Sequence, residues 1–332
     1  MSNINRRATF VLATGALASS LFAVQASAQP YPGRPVTLIV PFAAGGPTDV
    51  IARMLGVVMS QKLGQQIIIE NVAGAGGTTA AARVARSPAD GYTLLIHHIA
   101  LPLGASLYKS LTYDTATAFE PIGLINYGPY VLTSKLDFAP NSAKEAFEAF
   151  RKNSDKITFA HAGVGSGSHM CGLMLMQALN FKGNFVAYRG TGPALNDVVA
   201  GQVDVLCDQT TNTFPQIEAK KVKNFAITSP QRSPKFPDMP TMAEVGAPSV
   251  DINVWHALYA PKGVPSDILG RLHASLQDAL NDKTVQERFD QLGTLLFPSA
   301  ERSREAHGKK LASELERLRG IVQSAGVEAS AN

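Results

Sequence analysis

The sequence predicts a two-lobed α/β fold in which the chain crosses twice between lobes. Three observations predict it. A strand, a glycine-rich turn and a helix follow one another repeatedly in two separate blocks, two long extended runs separate the blocks, and the end of the chain is helical.

The chain opens with Arg6 and Arg7, an uncharged apolar run over residues 10–24, and Ala26-Ser27-Ala28. This is the pattern of a secretory leader, so residues 1–28 are expected to be removed after Ala28 and the mature protein to reach the periplasm. A membrane anchor is the alternative, but the run is shorter than the roughly 20 residues a bilayer needs and is diluted by Thr14, Gly15, Ser19 and Ser20. The paired arginines also permit a twin-arginine route, although Ala8-Thr9 favour general secretion. Losing two arginines and no acid lowers the net charge from +4 to about +2. The remaining lysines and arginines are scattered, with no basic stripe, which excludes a nucleic-acid partner.

In the mature chain residues 36–40 form an apolar strand stopped by Pro41. A glycine turn and a helical stretch over residues 50–63 follow. The grammar repeats with a strand at 66–70, a turn at 73–77, a helix at 78–85, and a third strand at 93–96 that runs into His97-His98. Residues 122–133 are extended, interrupted by Gly128-Pro129, and read as a crossing into a second lobe. There the pattern resumes with a helix at 142–152, a strand at 157–160, a turn at 163–168 and a helix at 169–179. A strand at 184–188, a helix at 194–200 and strands at 203–207 and 225–228 complete it. After a proline-rich stretch, the extended run 250–260 reads as the return crossing. Helices at 266–280, 283–292 and 300–324 should pack back on the first lobe. The lobes are therefore expected at 29–127 plus 255–332 and at 128–254, with a ligand cleft between them.

The glycine turns suggest what the cleft binds. N–H groups at a helix start lack intrahelical partners, and the helix dipole places about half a positive charge there, so an anion is stabilised. Turns at 43–47, 73–77, 163–168 and 190–191 could cradle carboxylates, or could simply be tight connections. Enzyme motifs are missing. Gly163-Val164-Gly165-Ser166-Gly167 has the wrong spacing for a dinucleotide fingerprint, no Gly-Lys-Ser/Thr loop occurs, and Ser166 is not in a nucleophile elbow. A binding protein without catalytic residues or cofactor is expected. His97 and His98 point to opposite sides of an extended backbone, so at most one faces the cleft. No recurring metal-ligand spacing surrounds Cys171 or Cys207, and no metal is expected. The two cysteines could pair after export, but their apolar neighbours favour two buried free thiols.

Six motifs carry a family resemblance: Tyr31-Pro32-x-Arg34-Pro35-Val36, Ile39-Val40-Pro41-Phe42-x-x-Gly45-Gly46-x-Thr48-Asp49, Glu70-Asn71-x-x-Gly74-Ala75-Gly76-Gly77, Ser87-Pro88-Ala89-Asp90-Gly91-Tyr92-Thr93-Leu94, Tyr188-x-Gly190-x-Gly192-Pro193-Ala194 and Gly201-Gln202-Val203-Asp204. In this order and spacing the chain resembles the substrate-binding proteins of tripartite tricarboxylate transporters, the Bug family. The resemblance implies a type II periplasmic-binding fold that closes on a small organic carboxylate and delivers it to a two-subunit membrane permease; a monomer is expected. It implies a site drawn from Phe42, Ala44, Gly45, Gly46, Thr48, Asp49, Ala75, Gly76, Gly77, His97 and His98 in the first lobe. Gly165, Ser166, Gly167, Ser168, His169, Arg189, Gly190, Thr191 and Asp208 complete it from the second. The stretch His97-His98-Ile99-Ala100-Leu101-Pro102 departs from the hydroxylated residues frequent in the family. If Ile99 and Leu101 face the cleft, an aromatic dicarboxylate such as terephthalate fits; if they pack inward, an aliphatic acid does. A periplasmic sensing subunit using the same cleft is the alternative role.

Overall fold

The computed structural model describes residues 31–324, so the leader expected at residues 1–28 lies outside the described residues. The first elements are β1 (Val36–Val40), α1 (Pro47–Leu63), β2 (Ile67–Asn71), α2 (Thr78–Ala85), β3 (Thr93–His98), α3 (Ala100–Leu107) and β4 (Phe119–Ser134). Then come α4 (Ala143–Asn153), β5 (Thr158–His161), α5 (Gly167–Leu179), β6 (Asn184–Ala187), α6 (Thr191–Val199), β7 (Val205–Gln209), α7 (Thr210–Glu218) and β8 (Lys223–Ile227). The chain ends with β9 (Asn253–Pro261), α8 (Ser266–Asn281), α9 (Lys283–Gln291), β10 (Leu295–Leu296) and α10 (Arg304–Ser324).

Local chemistry sets the helix limits. Pro47 opens α1, where a missing N–H costs nothing, and Ile51, Ala52, Leu55 and Met59 form its buried stripe. Gly64 stops it in a left-handed conformation at φ 71°. Ser142 caps α4 by accepting from the Glu145 N–H at 3.2 Å, while the Glu145 carboxylate returns to the Asn141 N–H at 2.7 Å.

The sheet runs β2-β1-β3-β9-β4-β7-β5-β6, with β8 and β10 also paired to β4. In the first lobe β1 lies parallel between β2 and β3, and β3 meets β9 antiparallel. In the second, β5 lies parallel between β6 and β7, and β7 meets β4 antiparallel. The two lobes thus repeat one topology. Strand β4 belongs to both: residues 119–129 pair with β9, and residues 130–134 with β7 and β8. Gly128 and Pro129, expected to interrupt the run, sit at the handover between partners, and the strand continues through them. The C-terminal helices pack on the first lobe, α8 against α1 and α10 against α3 and β4.

Two helices were not anticipated. Pro102 stands in the first turn of α3, where its missing N–H breaks no helical bond. In α7 three threonines, Asn212 and an internal Pro215 hide the helix from a propensity reading. The free-thiol expectation is also corrected: Cys171 and Cys207 form a disulfide with Cα atoms 6.2 Å apart. Their apolar surroundings are real, since both are buried. It is the packing of α5 on β7 that brings them together across a sequence separation of 36, and linear order does not reveal that contact.

Candidate functional site

The C-terminal ends of the parallel strands from both lobes meet around a narrow cavity. Four helices begin at its wall. Gly46, Pro47 and Thr48 open α1; Ser166, Gly167 and Ser168 open α5; Thr191 opens α6; Asp208 and Gln209 precede α7. Ser166 caps α5 by accepting from the His169 N–H at 3.2 Å, and its Oγ lies 3.1 Å from Ser168 Oγ, which accepts from the Ala162 N–H at 2.9 Å. Peptide N–H groups of each first turn have no intrahelical acceptor, so this wall carries partial positive charge from four directions. The disulfide fastens α5 to β7 beneath it.

Aromatic rings line the first-lobe side beside the start of α1. Phe42 stacks on His98 with centroids 4.8 Å apart and planes 10° apart, and His256 meets His98 edge-on at 5.4 Å. Thr48 Oγ1 lies 3.2 Å from His256 Nε2. His98 Nδ1 accepts from the Ala100 N–H at 3.0 Å. Burial and the neighbouring His256 push the His98 pKa well below its ordinary value, so the ring is neutral and carries its proton on Nε2. Of the adjacent pair, His98 faces the cavity. His97 turns to the other side of β3, with Nδ1 accepting from the His98 N–H at 2.9 Å.

The two predicted aspartates behave differently. Asp49 is fully committed: Oδ2 accepts from the Gly45 N–H at 3.0 Å and Arg53 Nε at 2.9 Å, and Oδ1 accepts from Asn71 Nδ2 at 2.9 Å. Burial raises its pKa, but the hydrogen bonds from Arg53, Gly45 and Asn71 outweigh burial and hold it below the usual carboxylate value. Asp49 therefore fastens the first turn and does not line the cavity. Asp208 is fully buried and lines it. Its Oδ2 accepts from Asn212 Nδ2 at 2.5 Å, while Oδ1 has no partner among the described residues. Burial pushes its pKa up to about 7, against the pull of hydrogen bonds from Asn212, the Gln209 N–H and Thr191. The Tyr130 hydroxyl and Gln209 Oε1, also on the cavity wall and buried, are likewise without partners among the described residues.

Nine of the predicted residues meet at the cavity: Phe42, Gly46, Thr48, His98, Ser166, Gly167, Ser168, Thr191 and Asp208. Others lie at the rim, where the lobes touch. Ala43 N–H donates to Arg189 O at 2.9 Å and the Tyr108 hydroxyl to Val164 O at 2.9 Å. A side chain on Gly76 would strike the Val164 carbonyl, and one on Gly190 or Gly165 would crowd Ala43 or Tyr108. Gly77 packs against the His97 ring, and His169 beside His161 with centroids 4.7 Å apart. Ala44, Gly45, Ala75 and the Arg189 side chain are exposed. The sequence reading placed Pro47 in the candidate turn 43–47 but missed Tyr130, Ala162 and Gln209. Gln209 directly follows Asp208 and could have been read with it, but Tyr130 enters only because β4 crosses the cleft floor. Ile99 and Leu101 turn into the core, so the apolar wall considered for them does not form.

A family model described as tripartite tricarboxylate transporter family receptor matches residues 51–327. A protein of Agrobacterium vitis from the TAR-I ttuE-ttuC' intergenic region is 40% identical over 326 residues, covering 98% of this chain and 93% of that one. Among solved structures, the periplasmic binding protein BugD is 44% identical with a TM-score of 0.87, covering 90% of this chain and 99% of BugD. MatC of Rhodopseudomonas palustris, with bound malate, is 38% identical with a TM-score of 0.85, covering 88% and 100%. Rpa4515 of R. palustris, with adipate, is 28% identical with a TM-score of 0.83, covering 89% and 98%.

Proposed function

Since the chain belongs to the tripartite tricarboxylate transporter receptor family, whose members are periplasmic solute-binding proteins and not enzymes, we propose that it closes on one small organic carboxylate. The observation that carries this reading is the convergence of four helix starts on one cavity between the lobes. A carboxylate held there accepts peptide N–H bonds in a desolvated site without requiring a lysine or arginine. The site comprises the nine predicted residues at the cavity together with Tyr130 and Gln209, and the rim glycines serve closure. The lobes divide at 29–127 plus 255–332 and 128–254, with β4 and β9 as the elements about which they move.

The malate and adipate bound by related proteins favour an aliphatic acid of similar size. An aromatic dicarboxylate such as terephthalate is a second reading. It is supported by the stacked Phe42 and His98 rings and weakened by the inward turn of Ile99 and Leu101. As a monomer the loaded receptor would deliver its ligand to a two-subunit permease; a sensing role would use the same closure.

The test is a thermal-shift panel of organic acids, sugars and amines. A ligand that binds only the folded protein adds about 2.7 kcal/mol at a hundredfold excess over Kd, a shift of several degrees. A transition moved by sugars or simple amines and by no carboxylate would overturn the proposal.

A further inference from the structure

A bound carboxylate and the carboxyl group of Asp208 are drawn to the same place. Asp208 stands at the start of α7 on the cavity wall, fully buried, with Oδ1 lacking a partner among the described residues. The helix starts that favour an anion surround it. Two ionised carboxylates in one dry site repel, and no lysine or arginine is among the residues lining the cavity. The titratable groups on the elements packed around Asp208 are uncharged or already engaged. Burial and Asp208 itself hold Tyr130 on β4 in its neutral form, and burial keeps His98 on β3 and His256 on β9 neutral. His169 on α5 and His161 on β5 pack on each other and are neutral for the same reason. Asp197 on α6 accepts from the Tyr188 hydroxyl, and Asp49 on α1 accepts from Arg53. What remains to relieve the repulsion is a proton.

We infer that the receptor takes up one proton with the carboxylate it binds, and that Asp208 carries it. This rests on the carboxylate reading above and adds proton linkage to it. The proton comes from solvent and forms an O–H bond on Asp208, which donates to the ligand carboxylate; on release it returns to solvent, and no other bond changes. Asn212 donates to Oδ2 at 2.5 Å, which leaves Oδ1 as the oxygen to be protonated. Burial brings the Asp208 pKa to about 7 in the ligand-free protein, and an anion beside it raises the value further. Above pH 7 uptake therefore approaches a whole proton per ligand, and affinity falls about tenfold per pH unit.

The experiment titrates the full mature protein calorimetrically with succinate, malate, adipate and terephthalate between pH 7 and 9, where all four are fully ionised, in buffers of different ionisation enthalpy. For the acid that binds best, affinity should fall about 50-fold from pH 7 to pH 9. The buffer dependence of the enthalpy should report about half a proton taken up per ligand at pH 7 and nearly one at pH 9. Binding with a flat pH profile and no proton uptake overturns the inference while leaving the carboxylate reading intact. Binding of none of the four overturns both. Asp208→Asn keeps an acceptor for Asn212 and a donor for the ligand but has no proton to exchange. Its affinity should vary less than threefold over the same range, without proton uptake, and should exceed that of the parent at pH 9. A merely structural role would change affinity at every pH and leave the proton count as it was, so uptake that persists in the variant also overturns the inference. The buffer series on the unaltered protein stands whether or not the variant folds.

Discussion

The two sides of the cleft treat the same residue type in opposite ways. On the first-lobe side Asp49 is bonded to Gly45, Arg53 and Asn71, and the turn it fastens presents backbone to the cavity. On the second-lobe side Asp208 Oδ2 accepts from Asn212, and Oδ1 has no partner among the described residues. Both are buried at helix starts, so burial alone does not distinguish them. What distinguishes them is the balance of partners against burial: hydrogen bonds outweigh burial at Asp49, and burial outweighs them at Asp208.

The largest effect should come from removing each charge in turn. Asp208 has a folded pKa of about 7 against an ordinary 3.8, so between those values the folded protein holds the proton more tightly than the unfolded chain. Its stabilising protonation is complete below about pH 4 and lost as pH rises to 7, a swing of about 4 kcal/mol. Asp208→Asn should therefore stabilise the ligand-free protein, by a few kcal/mol at pH 8 and by less at pH 5. Asp49, held low, contributes stability above its ordinary value that is lost only as pH falls through its folded one. Asp49→Asn should destabilise by about 1 to 3 kcal/mol at both pH values. Buried histidines tilt the background: burial lowers His97 to about 4 and His169 and His256 to about 3. Their stability is present above 6.5 and lost on acidification. The quantity to measure is thus the variant-minus-parent difference in urea unfolding at each pH, in which this background cancels. A pH-independent loss in both variants would erase the contrast between the aspartates.

A smaller effect should separate closure from ligand contact. Gly76 and Gly45 both have positive φ, +61° and +82°. A methyl group at Gly76 meets the Val164 carbonyl of the other lobe, whereas one at Gly45 meets nothing within 4 Å. Alanine at either site incurs similar left-handed strain, roughly 1 kcal/mol. Only Gly76→Ala obstructs the closed form. Its ligand affinity by calorimetry should fall at least 30-fold and that of Gly45→Ala less than threefold, with similar changes in Tm. Matching affinities would show that the rim contact plays no part in closure.

The alternation of strand, glycine and helix was legible because each signal is local. β1 begins and ends where its apolar run does, and α2 where its small residues do. The starts of α1, α5 and α6 followed from the same local grammar, and that of α7 did not. The disulfide, the crossing of Tyr130 into the floor and the inward turn of Ile99 were not legible, because each depends on which elements pack together. β7 shows how small the margin is. The strand was expected over residues 203–207, but it spans Val205–Gln209, and this shift puts Asp208 and Gln209 at its cavity end. Asp49 and Asp208 stood equal in the sequence reading because hydrogen-bond capacity is used up by partners distant in sequence, such as Asn71 for Asp49.

The smallest effect is the most specific to the contrast. Tyr130 is buried, its hydroxyl has no partner among the described residues, and its oxygen sits against Gly167 at the start of α5. In the free protein the hydroxyl bears a desolvation cost without a hydrogen bond in return, so Tyr130→Phe should leave stability unchanged or raise it by up to about 1 kcal/mol. With a carboxylate ligand bound, the same hydroxyl has an acceptor to donate to. Its loss should then weaken binding by about 0.5 to 1.5 kcal/mol, roughly two- to tenfold. Asn71→Ala is the counterpart on the saturated side. Asn71 Nδ2 donates to Phe42 O and Asp49 Oδ1, both at 2.9 Å, so its removal should destabilise the free protein by about 1 to 3 kcal/mol. Urea unfolding and calorimetric titration of the two variants give two numbers each. The expected pattern is stable but weaker-binding for Tyr130→Phe, and destabilised for Asn71→Ala with affinity lowered only as far as the first turn loosens. If Tyr130→Phe instead destabilised the free protein by a full hydrogen bond and bound ligand normally, the hydroxyl would be structural and the second-lobe side as saturated as the first.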